Sequence, residues 1–177
     1  MDGKLDARGR TLEQVIADHN SGKYPRPSVT GDVVILRKRE RGYQVLLIER
    51  GGHPCLGKLA FPGGFANENE PVEQTAAREL QEETGVTGLS PELLGVFSKP
   101  GRDPRGWIVT VAFVALIEGE LQVQAGDDAA SARWYDLEAG GDAPLVCRDG
   151  VRVPADELAF DHGEMLVAAL KKLNITL

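Results

Sequence analysis

Residues 64–86 read GFANENEPVEQTAARELQEETGV: a glycine, an isolated acid at Glu70, then a run that closes as Arg78-Glu79-Leu80-Gln81-Glu82-Glu83-Thr84-Gly85-Val86. Val72, Ala76 and Leu80 recur at helical spacing and predict a core-facing stripe. Pro71 suits the first helical turn, where its missing N–H goes unused, and Gly85 suits the end. On such a helix, positions three and four apart are neighbours, so Glu79 stands beside both Glu82 and Glu83, off the buried stripe. At roughly 6 Å and an effective dielectric of about 20, one such pair repels by roughly 3 kcal/mol. Water weakens that repulsion. A divalent cation removes it and makes the cluster a hard oxygen-ligand site.

Working outward, the chain reads as strands around that helix. A short helix is expected over Leu12 to His19, capped by Thr11, followed by the extended Tyr24-Pro25-Arg26-Pro27. Val29 to Arg37 and Tyr43 to Glu49 are strand-like, joined by a charged turn at Arg41-Gly42. Gly51 to Lys58 is a loop, and Leu59-Ala60-Phe61 leads into a sharp turn at Pro62-Gly63-Gly64. Beyond the helix, Glu92 to Phe97 and Trp107 to Ile117 are strands, the second expected to be buried on both faces. Leu121 to Ala125 alternates as a strand with one wet face, Arg133-Trp134-Tyr135 is a further short strand, and Gly140 to Pro154 reads as a surface excursion. A last helix starts with Asp161 as cap, Glu164 three residues on, and Phe160 with Met165 as a hydrophobic staple, and it runs to about Leu173. Strands with a helix in the middle and one at the end define an α/β or α+β class.

A Glu-rich helix is more often a solvated face than a site. The complete spacing sets this one apart: Gly64, five residues, Glu70, seven residues, Arg78-Glu79, an aliphatic, one residue, Glu82-Glu83, one residue, Gly85 and an aliphatic. Nine such constraints coincide by chance at about 10⁻⁹ per starting position. The segment resembles the Nudix box and departs from it nowhere. The resemblance implies the Nudix fold, a mixed β-sheet sandwiched between α-helices, over residues 28–177, with 1–27 an N-terminal helix and extended segment. It also implies hydrolysis of a diphosphate linked to another moiety, with Mg²⁺ or Mn²⁺ as cofactor. By the same resemblance Glu79 and Glu83 are metal ligands, Glu82 joins them or orients water, and the Gly64 carbonyl is an extra ligand. Glu82 and Glu83 are the expected catalytic carboxylates, while Arg78 is expected to hold Glu70 by bidentate contact. Nudix families take the general base from different loops. Asp128, in Gly126-Asp127-Asp128, stands where relatives carry a glutamate, and a turn-forming role is the alternative.

Flanking segments bear on the substrate. Leu59 to Phe65, Gly101 to Trp107, Asp127-Asp128-Ala129 and Leu158 to His162 resemble ADP-ribose pyrophosphatases, although less specifically than the box does. Pro100, fourteen residues past Val86, lies one short of the proline position of that group. Arg102 and Arg105, in a Gly/Pro loop, fit phosphate or ribose contacts, Asp103 fits a ribose hydroxyl, and Arg50 is a further phosphate candidate. Phe61 or Phe65 is placed to stack on adenine. His53 and His162 read as structural. The expected reaction is ADP-ribose to AMP and ribose 5-phosphate. The alternatives are another nucleotide substrate (an oxidised nucleoside triphosphate or a dinucleoside polyphosphate) or a ligand sensor that does not turn over. The intact box and the chain's end at Leu177 weigh against the sensor.

The 177 residues suffice for one domain with a real core. A net charge of −7 argues against nonspecific nucleic-acid binding but leaves room for a local basic pocket that takes a small anion. Cys55 and Cys147 are too few for a disulfide scaffold and read as free thiols. Charges interrupt the N-terminus, and no apolar run approaches the roughly 20 residues of a membrane helix, so a cytoplasmic protein without membrane partners is expected. Many Nudix enzymes dimerise, which leaves a homodimer open.

Overall fold

The computed structural model describes residues 5–22, 25–124 and 129–177. Three helices, α1 (Leu12–Asn20), α2 (Val72–Thr84) and α3 (His162–Lys172), accompany nine strands. The strands are β1 (Ser28–Lys38), β2 (Tyr43–Arg50), β3 (Leu59–Ala60), β4 (Gly63–Phe65), β5 (Glu92–Phe97), β6 (Ile108–Glu118), β7 (Ala129–Glu138), β8 (Leu145–Arg148) and β9 (Val151–Pro154). The sheet runs β5-β6-β1-β2-β7-β8-β9. It is mixed: β1 and β6 are parallel from Ser28↔Ile108 to Lys38↔Glu118, and every other pairing is antiparallel.

Alternation along β1 explains the layers. Val33 and Ile35 face one side, with Leu46, Ala76, Leu80 and Phe113, and α2 covers it. Val34 and Leu36 face the other, with Val45, Leu47, Met165, Leu166 and Ala169, and α3 covers that. A strand buried on both faces must be apolar throughout, and Val33-Val34-Ile35-Leu36 is. The expected helix-sandwiched mixed sheet is what the chain forms.

One irregularity creates the site. β1 pairs with β2 only over Leu36–Lys38, while its earlier residues Thr30 to Asp32 pair with β4, and β2 pairs with β3 at Ile48 and Glu49. The two central strands therefore fork, and the Pro62-Gly63-Gly64 turn fills the fork directly before α2. Gly63 lies opposite Asp32, and Gly64 opposite Gly31.

Several expectations need correction. Residues 140–154 hold the β8–β9 hairpin, closed by Asp149 (φ 50°) and Gly150 (φ 80°). Two left-handed central residues are the signature of a type I′ turn, and Asp-Gly between the valine-bearing stretches Leu145–Arg148 and Val151–Pro154 was a readable signal. Leu121 to Gln124 form no strand; Leu121 and Val123 pack on the α2 side while the Gln124 N–H donates to the Thr84 carbonyl at 2.9 Å. Trp107 precedes β6 and is 56% exposed, so the strand is buried on both faces only across Ala112–Val114. The strand expected at Arg133–Tyr135 extends over all of β7. Asp161 does precede α3 but makes no side-chain cap, because its carboxylate turns to Arg102. Phe160 and Met165 belong to different apolar clusters, and the staple does not form. The capping box of α1 is present, with Thr11 and Gln14 exchanging hydrogen bonds at 2.9 and 3.2 Å, yet α1 buries no residue.

Candidate active site

The guanidinium of Arg78 organises the acidic face of α2. Its Nε and Nη2 donate to Glu70 at 2.9 and 3.1 Å, Nη1 donates to Glu79 at 2.6 Å and Glu82 at 3.1 Å, and Nη2 also reaches the Phe65 carbonyl at 3.0 Å. Arg78 thus holds Glu70, as expected, and also ties the helix to the turn that precedes it. The Arg78 contact, joined by the Asn67 N–H, pulls the Glu70 carboxyl down to about 2. Arg78 itself is shifted well upward by Glu70 and Glu79. Glu82 is 58% exposed at the rim.

Two further carboxylates converge on the glycine turn. Glu83 accepts from the Gly63 N–H at 2.9 Å, and the Glu79 carboxylate lies so close over Gly64 that a Cβ there would overlap it. A Cβ at Gly63 would likewise overlap the Asp32 carboxylate. Glycine is required at both positions because acids approach the backbone from either side. Burial pushes the Glu83 carboxyl up to about 8, opposed by the Gly63 N–H and reinforced by the charges of Glu79 and Asp32. Burial also raises Asp32 to about 6, against hydrogen bonds from Thr110 and Thr30. Among the described residues no three Asp, Glu, His or Cys side chains already converge on one point. Arg78 holds Glu79 and Glu82, and the turn holds Glu83. The donors nonetheless suit a hard divalent cation: carboxylate oxygens from one helix face, one of them buried, beside a backbone turn.

The glycine turn also borders a cleft of about 70 Å³ lined by Asp32, Arg50, Gly63, Gly64, Phe65 and Arg105 among others. A second cavity of about 540 Å³ adjoins it, and Arg102 and Phe160 border both. Arg50 lies at the cleft, with Nε donating to the Pro54 carbonyl at 2.9 Å. Arg105 lies there too, 38% exposed and 4.8 Å above the Phe65 ring.

Three sequence-based assignments change on this wall. Arg102 is the buried half of an ion pair: Nε and Nη2 reach Asp161 at 2.8 and 2.5 Å, Nη1 reaches Thr110 at 2.8 Å, and the side chain is 4% exposed. Three of its five N–H donors are engaged in this way, and it braces the start of α3 against β6. Asp103 gives both oxygens to Arg105 at 3.0 and 2.7 Å and is buried, so it orients Arg105 and is not open to a ribose hydroxyl. Burial alone would raise the Asp103 carboxyl, but the Arg105 contacts prevail and hold it below its ordinary value. Phe61 is 1% exposed and stacked on His162 at 5.2 Å, part of the cleft floor, which leaves Phe65 at 41% as the open ring. Asp128 lies outside the described residues. His162 is structural, as expected: its Nδ1 accepts from the Phe61 N–H at 2.9 Å, and burial lowers its pKa to about 3. Asp32 escaped the sequence reading, although one acid inside an apolar strand was a visible signal.

Residues 27–149 match the NUDIX domain family, and the chain belongs to it. It is 38% identical over 141 residues to an ADP-ribose pyrophosphatase of Methanocaldococcus jannaschii, covering 79% of this chain and 78% of that one. It is 31% identical to the ADPR-responsive transcriptional repressor NtrR of Acinetobacter baylyi over 90% of this chain, which spans 59% of the repressor's length. The NUDIX domain of Shewanella oneidensis NrtR, solved with ADP-ribose, superposes with a TM-score of 0.73 at 28% identity, covering 93% of this chain and 99% of that domain.

Proposed function

We propose that the chain is a Mg²⁺- or Mn²⁺-dependent pyrophosphohydrolase that cleaves ADP-ribose to AMP and ribose 5-phosphate. The observation that carries this reading is the glycine turn itself, whose backbone Glu79 and Glu83 approach and which borders the cleft that Arg50 and Arg105 line. Likeness to an ADP-ribose pyrophosphatase and to an ADP-ribose-bound domain supports the choice of substrate.

A diphosphate is densely negative, so attack by water requires neutralised charge and a positioned nucleophile. A divalent ion held by Glu79, Glu82 and Glu83 with the Gly64 carbonyl would supply that neutralisation. The chain's own groups do the rest. Arg78 fixes Glu79 and Glu82, and the Gly63 N–H aims Glu83. Arg50 and Arg105 bind the phosphates, and Phe65 offers its face to the adenine. Asp128 takes the proton from the attacking water. The water oxygen bonds to phosphorus as the bridging P–O bond breaks, leaving two phosphate monoesters.

A substrate panel with Mg²⁺, following AMP and phosphate release, tests this reading. ADP-ribose should be turned over fastest. Faster turnover of an oxidised nucleoside triphosphate or a dinucleoside polyphosphate moves the substrate assignment. The similarity to the repressor favours a second reading, a sensor. Tight ADP-ribose binding without turnover of any diphosphate would establish it.

A further inference from the structure

Phe160 lies between the 3-10 turn at Ala155–Glu157 and α3, with φ at 55°, a left-handed conformation that bulky side chains rarely adopt. Its neighbours impose it: the Ala159 N–H donates to the Leu59 carbonyl at 2.8 Å and the His162 N–H to the Ala159 carbonyl at 3.1 Å. The His162 ring backs the Phe160 ring at 5.6 Å. The ring so placed borders both cavities.

Two cations share it. The Arg50 Cζ lies 4.9 Å from the Phe160 centroid and the Arg105 Cζ 5.5 Å, both within the roughly 6 Å reach of a cation–π contact. Each is also tethered from behind, Arg50 by the Pro54 carbonyl and Arg105 by Asp103 and the Phe65 ring. Two guanidiniums gathered on one ring repel each other; Asp103 offsets part of this at Arg105, and an anion bridging the pair would offset more. Two linked phosphates offer one group to each guanidinium, whereas a monophosphate must be shared between them.

We propose that Phe160 is a positioning residue that presents Arg50 and Arg105 as a guanidinium pair to the two phosphates of a diphosphate substrate. This deepens the pyrophosphohydrolase reading and rests on it for the reaction. Phe160 carries no proton-transfer group, so its contribution belongs to binding: its loss raises KM for the diphosphate and leaves kcat within about threefold.

The test is calorimetric titration of the full chain, in Mg²⁺, with α,β-methylene-ADP and separately with AMP. Phe160→Leu should weaken the diphosphate at least about fivefold while AMP changes less, and Phe160→Tyr should restore the wild-type pattern. Should Phe160→Leu fail to fold, Phe160→Met removes the π face with a flexible, unbranched side chain that can repack, and is read in the same way. Diphosphate affinity within about fivefold of wild type, parallel loss of AMP, or no rescue by tyrosine would overturn the proposal. A wild-type protein that hydrolyses no diphosphate, yet loses α,β-methylene-ADP selectively in Phe160→Leu, would overturn the pyrophosphohydrolase reading and leave the guanidinium pair standing.

Discussion

The α2 wall behind the glycine turn and the arginine-bearing wall of the adjoining cleft solve opposite electrostatic problems. On the α2 wall, one arginine serves three carboxylates, Glu70, Glu79 and Glu82, and Glu83 has only a backbone N–H. On the far wall, Arg102 is matched by Asp161 and Arg105 by Asp103, with Arg50 held by a carbonyl and by the Phe160 ring. The first wall carries surplus negative charge that calls for a cation. The second carries cations already oriented, by acids at Arg102 and Arg105 and by a carbonyl and an aromatic ring at Arg50. A metal-assisted reaction on an anion would use that asymmetry, and the proposed function puts catalysis on one side and recognition on the other.

The largest effect is expected on the acidic wall. Glu83→Gln keeps an acceptor for the Gly63 N–H and removes the charge, so turnover should fall by at least about a hundredfold with the unfolding temperature maintained or raised. Chelation by EDTA should abolish turnover in the wild type. On the far wall, Arg102→Met should act on stability instead, because it strands a buried Asp161 carboxylate. A loss of about 3 kcal/mol or more in denaturant unfolding is expected. Arg105→Met, which also leaves the buried Asp103 carboxylate without its partner, should raise KM about tenfold with little change in kcat, seen in steady-state kinetics.

The pH dependence separates the walls again. Glu83 must lose its proton to bind a cation, so Mn²⁺ affinity measured by calorimetry should climb between pH 6 and about 8 and then level off. In the metal-free protein the sign reverses. The folded-state pKa of Glu83 lies above its ordinary 4.5, so its contribution to stability is complete below 4.5 and disappears as pH rises towards 8. His162 behaves conversely. Its pKa is lowered to about 3, so its contribution is complete above 6.5 and is lost as pH falls towards 3. The smallest effect belongs to α1: Leu12→Ala and Ile16→Ala, at residues 68% and 50% exposed, should each change stability by no more than about 0.5 kcal/mol.

The same contrast explains what could be read from the sequence. The acidic wall is one helix and its preceding turn, so spacing along the chain is spacing in space, and Arg78, Glu79 and Glu83 were legible together. The far wall is assembled from Arg50, the 101–105 loop and residues 160–162, which meet only when β1 and β2 fork and α3 docks. Sequence proximity there suggested that Arg102 and Asp103 act on the ligand, whereas burial commits Arg102 to Asp161 and Asp103 to Arg105. The apolar run at Val33–Leu36 announced a central strand. The fork beside it had no local signature beyond Asp32, an acid that a continuous strand core would not tolerate.

Hydrolysis of ADP-ribose in Mg²⁺, with AMP and ribose 5-phosphate quantified for the wild type and for Glu83→Gln side by side, tests the central claim most directly. The account predicts stoichiometric release of both products by the wild type and at least about a hundredfold slower release by the folded variant. Near-equal rates in the two proteins would contradict it.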